Sequence, residues 1–152
     1  MNGNRSFAWS QTTITALVSL VLLLSGMMAA SVVSAADIAT SPPANFKKVS
    51  SLVKLPDFVP GLGTLYVDPS MLPIGPFLGY SHRGKLINIT YMVPLKDLEA
   101  HKNFEVLGGV AAGMKINHTD IQYNPGHPGV EEPHYHIVQW LISPAAVKTE
   151  MK

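Results

Sequence analysis

The stretch HTDIQYNPGHPGVEEPHYHIVQW, residues 118–140, decides how this chain folds. Both of its ends mix β-branched, aromatic and polar side chains in the alternation of half-buried strands. The middle, NPGHPGVEEP, has Pro-Gly at 125–126 and again at 128–129, and a further proline at 133. Proline fixes φ and removes an amide donor, while glycine accepts positive φ, so this segment is a loop. A loop of about ten residues returns the chain antiparallel to itself. The reading is therefore a hairpin of strands at 115–123 and 134–142.

That hairpin also carries the chemistry. Alternate residues of a strand point the same way, about 6.5–7 Å apart. His134 and His136 thus share a face, and two imidazoles at that separation can converge on one cation through bonds of about 2.0–2.1 Å. On the preceding strand His118, Asp120 and Gln122 share a face. A register that sets His118 or Asp120 opposite the pair gives a metal site of His118, His134 and His136. Asp120 or Glu132 would then be a fourth ligand or the group that orients one. His127, Glu131 and Glu132 are further donors at the loop rim. Imidazole suits zinc and copper, and the chain has no cysteine for a thiolate site. The alternative reading is a polar strand face in water, with His136 bonded to its neighbours.

Working outward, KLINITYMV (85–93) has β-rich composition, and FLGY with the turn SHRG makes it the second arm of another hairpin. Ile87, Ile89, Tyr91 and Val93 form an apolar face, expected to meet the core with Ile137 and Leu141. TLYV (64–67) is a brief strand, and prolines at 69, 73 and 76 forbid a central strand beyond it. Phe46, Val49, Leu52 and Val53 stand at helical spacing and predict a short helix before Pro56. LKDLEAHKNF after Pro94 predicts a helix of two to three turns. GGVAAGM (108–114) lacks the Lys-Ser/Thr of a phosphate-binding loop.

The run from Ile14 to Ala36 holds no charge and closes on SVVSAAD. This is the layout of a secretory signal with a cut before Asp37; the alternative is a retained membrane anchor. Either way the chain is exported. The remaining 116 residues carry ten Lys or Arg against ten Asp or Glu, which argues against nucleic acid as a partner. The expected organisation is a signal at 1–36, a linker and short helix at 37–55, a domain at 56–145 and a tail at 146–152. The fold class is α+β: one small antiparallel sheet of hairpins with one or two short helices.

GTLYVDPSMLPIGPFLGYSHRGKLINITYMVPLKDLE (63–99), followed by INHTDIQYNPGHPGVEEPHYHIVQW (116–140), resembles a family of small exported prokaryotic proteins of unknown function. The family is known from a Thermus member under an extracytoplasmic-function sigma factor. Relatives usually have two histidines four apart in the last strand. His134 matches the first, His136 stands where an aspartate is usual, and Val138 replaces the second. Cupins also carry His-x-His on a strand, but their following glutamate falls here at Trp140 or Leu141. No Gly-x-Ser-x-Gly is present. The expectation is an exported, non-catalytic protein that binds a divalent metal or small ligand at the histidine face. A self-associating envelope protein without metal is the alternative, and a metal-dependent hydrolase or oxygenase is the third reading.

Overall fold

Six strands form one antiparallel sheet in the computed structural model, which describes residues 35–105, 107 and 113–152. They are β1 (Lys47–Lys48), β2 (Thr64–Val67), β3 (Phe77–Tyr80), β4 (Leu86–Pro94), β5 (His118–Asn124) and β6 (His134–Trp140). Their order across the sheet is β1-β2-β3-β4-β6-β5. Three short helices complete an α+β fold: α1 (Ala35–Ile38), α2 (Leu95–Glu99) and α3 (Pro144–Glu150). The apolar run from 14 to 34 and the glycine-rich segment 108–112 lie outside the described residues. Among the described residues, no helix is long and apolar enough to cross a membrane.

All nine residues of β4 are buried, because β3 and β6 flank it and both of its faces are covered. Ile87, Ile89, Tyr91 and Val93 are buried as expected, with Ile89 and Tyr91 packed beside Ile137 and Leu141, but the four do not share one face. Tyr80 pairs with Leu86 and Gly79 with Asn88, so Ile87 has no opposite number. Such a bulge breaks the period of two. Ile87 accordingly packs with Val67, Phe77, Met92 and Val138, while Leu86, Ile89 and Tyr91 pack with Leu78 and Tyr80 on the other side.

The polar side chains that β4 buries satisfy one another. Asn88 Nδ2 donates to the Leu62 carbonyl at 2.8 Å, and Thr90 Oγ1 donates to Asn88 Oδ1 at 3.1 Å. The carboxamide reaches Leu62 across Gly79. A Cβ at Gly79 would meet both carboxamide ends and the Leu62 oxygen at 2.5 Å.

The chain covers both faces of the sheet centre itself. On one face lie a 3-10 turn at Val49–Ser51 and the loop after it, which contribute Val49, Val53, Leu55, Val59 and Leu62. Ala146, Val147 and Met151 join them from α3 and its end. On the other face lie Ile38 and Phe46, and Tyr80 Oη donates to the Ile38 carbonyl at 2.8 Å.

Further expectations change here. The helix foreseen over Phe46–Val53 is a two-residue strand and a single 3-10 turn. Only ten residues precede Pro56 from Phe46, too few to offset a costly helical nucleus. Asp57 instead accepts from Ser50 Oγ at 2.5 Å and Lys48 Nζ at 3.1 Å. Residues 37–45, read as linker, are anchored: Ile38 is 2% exposed and the Ala39 carbonyl accepts from Leu86 N. The tail is mostly α3, capped by Ser143, whose hydroxyl accepts from Ala146 N. The helix after Pro94 spans only five residues, because His101 adopts φ 55 just beyond the C-cap Ala100.

Candidate metal centre

β6 alternates buried and half-buried residues, with His134, His136, Val138 and Trp140 on the buried side. Val138 and Trp140 hold this phase, since a slip of one residue would expose the indole. The histidines are carried inward with them: His134 is fully buried and His136 is 8% exposed.

The loop before β6 folds back to add a third ring. His127 and Val130 exchange both backbone hydrogen bonds at 2.9 Å, and Gly126 and Gly129 take φ values of 128° and 92° around them. A Cβ on Gly126 would collide with the Glu131 carbonyl. The His127 ring centroid comes to 4.9 Å from that of His134 and 5.6 Å from that of His136. One nitrogen from each of the three rings lies within 4.8 Å of the others, so these residues could hold a metal ion.

The hydrogen bonds set the tautomers. His134 Nδ1 lies 2.7 Å from the Glu132 carbonyl, and His127 Nδ1 lies 3.1 Å from the Pro128 carbonyl. A carbonyl oxygen only accepts, so Nδ1 carries the proton in both rings and Nε2 presents a lone pair. This is the arrangement in which a backbone carbonyl fixes a metal-binding imidazole. His134 Nε2 and His136 Nε2 stand 3.0 Å apart. Without a metal, His136 donates that hydrogen bond. Were a metal held there, both Nε2 atoms would be free to ligate it, and bonds of about 2.05 Å at tetrahedral angles would put two ligand nitrogens about 3.3 Å apart. The change needed is a few tenths of an ångström and a tautomer switch in His136.

Burial, and then the neighbouring His134 and His127, push the pKa of His136 down to about 4. It is therefore neutral at neutral pH, the form that binds metal.

The structure separates the other residues expected at the site. The register pairs Asn124 with His134, Gln122 with His136 and His118 with Trp140. His118 thus stands level with a residue four positions, about 13 Å, along β6 from His136. Its ring stacks on Trp140 at 6.0 Å. Asp120 Oδ2 accepts from Trp140 Nε1 at 2.9 Å. Glu132 contributes its backbone carbonyl to the centre, while its carboxylate pairs with Lys96 at 2.6 Å. The third imidazole belongs to His127, named above only as a rim donor. The signal for it is the repeated Pro-Gly around it, which folds the loop onto the strand face.

Beside His127 and His136 opens a cavity of about 390 Å³. Its walls include Val53, Leu55, Val59, Leu65, Val67 and Phe77.

No family model and no curated protein matches the chain. Among solved structures, the crystal structure of hypothetical protein TTHB210 from Thermus thermophilus matches with a TM-score of 0.58. The two sequences are 46% identical, over 64% of this chain and 93% of the other.

Proposed function

We propose a metal-binding role for this chain, which belongs to the family of the hypothetical protein TTHB210 from Thermus thermophilus. His127, His134 and His136 hold one divalent ion, zinc or copper, in an exported, non-catalytic binding protein. The observation that carries this reading is the pair of Nδ1-to-carbonyl hydrogen bonds, which turns the Nε2 lone pairs of His127 and His134 outward for coordination. Three histidines leave a tetrahedral ion one open position, as in sites that take an exogenous ligand. The carboxylates of Glu132 and Asp120 are turned to Lys96 and Trp140 rather than to the three imidazoles. The uncharged run 14–36, with small residues at its end, supports export.

Calorimetric titration of the metal-stripped protein tests the site. Zinc or copper should bind with a Kd below about 0.1 mM, worth roughly 5.5 kcal/mol. A His134→Ala/His136→Ala variant should lose that binding. Equal affinities in the two proteins would overturn the reading.

Self-association is a second reading, supported by β5. This strand lies at the sheet edge and exposes Ile121 by 68% and Tyr123 by 56%. Unpaired edges with apolar side chains are templates for a further strand. Sedimentation at tens of micromolar tests it, and a monomer there would end it.

A further inference from the structure

We infer that the apolar cavity and the histidine cluster form one compartment for a small carboxylate with an apolar body. The carboxylate takes the fourth position on the metal and the body lies in the cavity. This inference rests on the metal reading above.

Three observations lead to it. The first is size. At about 390 Å³, the cavity exceeds by more than twofold the dry cavities of about 150 Å³ that take up benzene, so a chain of several methylenes fits.

The second is the way polarity is distributed. Of the polar side chains on the wall, Gln122, Asn124, His127 and His136 all belong to the β5–β6 hairpin around the cluster. The other, Thr90, already donates its hydroxyl to Asn88. The 3-10 turn, the loop after it, β2 and β3 contribute apolar wall, and Leu52 and Leu72, each more than 40% exposed, place apolar side chains at the solvent-facing part of the lining. Such a compartment has a polar end and an apolar body, the form of sites that orient amphiphilic ligands.

The third is charge. Three neutral imidazoles leave a divalent ion with its full charge in a largely buried setting. Among the described residues no carboxylate belongs to the cluster: Asp120 is turned to the Trp140 indole, and Glu132 pairs with Lys96. An ion in low dielectric favours an anionic ligand. A carboxylate supplies the charge at the one place where the wall is polar.

The experiment is calorimetric titration of octanoate, acetate and octanol into the zinc-loaded protein, and of octanoate into the metal-stripped protein. Each methylene moved from water into the cavity strengthens binding about fourfold, and octanoate has six more than acetate. Octanoate should therefore bind at least about 100-fold more tightly than acetate, and at least about tenfold more tightly than octanol. Removing zinc should weaken octanoate to the level of octanol. Leu55→Trp, which fills the cavity from its wall, should bring octanoate towards acetate while leaving zinc affinity within about twofold. If that variant loses zinc as well, Val59→Phe on the same wall replaces it.

Zinc binding with octanoate no tighter than acetate overturns the compartment and leaves the metal reading standing. So does octanoate binding that is equal with and without zinc. Failure to bind zinc at all overturns the metal reading, and the inference with it.

Discussion

Between pH 6.5 and pH 4 the unfolded chain carries a proton on residue 136 that the folded chain refuses. Burial beside His134 and His127 lowers the folded pKa of His136 to about 4, from an ordinary value of 6.5. In that window the unfolded state binds more protons, so stability rises with pH and falls as pH is lowered. The stabilising contribution is complete above pH 6.5 and is lost as pH falls towards 4. The slope is about 1.4 kcal/mol per pH unit, so two and a half units remove about 3 kcal/mol. That is a large part of the 5–15 kcal/mol typical of a domain. Carboxylates such as Asp57 and Asp68, held low by hydrogen bonds, add their own losses in acid. The measurement is therefore a difference. Urea unfolding of the metal-stripped protein is followed from pH 7 to 4.5, alongside His136→Gln, which cannot titrate there. The wild-type curve should fall more steeply, by about 1 kcal/mol per unit between pH 6 and 5. Parallel curves over that interval would refute the buried neutral imidazole.

Gly79→Ala should cost about 2–5 kcal/mol by urea unfolding, since the added methyl overpacks the site and dislodges the Asn88 bond to Leu62. A loss below about 0.5 kcal/mol would show that the sheet gives way easily there. His127→Ala should weaken zinc by at least tenfold, whereas His118→Ala should change it less than about twofold, as calorimetry reads it. The reverse ranking would mean that the β5–β6 register is different. Intact mass of protein from its own host should lack residues 1–36, and a full-length mass would favour an anchor.

The hairpin 118–140 was legible because Pro-Gly chemistry and alternation agree on it, and both strands appear within three residues of their expected bounds. The choice of ligands was not. A ten-residue loop leaves the register open by several positions, and only pairing His118 with Trp140 rather than with the histidines shows which residues meet. His127 reaches the centre through two glycine φ values, which no periodicity records. In β4 no glycine or proline stands at the bulge at Ile87. It follows from Gly79 and Asn88 across the pair, a long-range cause that a local pattern does not contain. Ile38 and Phe46 looked like linker and helix because their partners, Tyr80 and Leu78, lie more than thirty residues on.

Trp140 gives the protein an optical handle. The chain has two tryptophans, and the other, Trp9, lies in the segment expected to be removed on export. Without that segment the chain carries a single indole, 2% exposed, hydrogen-bonded across the strand pair to Asp120 and stacked on His118. Its emission should be blue-shifted in the folded protein and move to the red when β5 peels away from β6. One wavelength thus reads the zipping of the edge hairpin that carries the three clustered histidines, from a fluorophore placed by the fold itself.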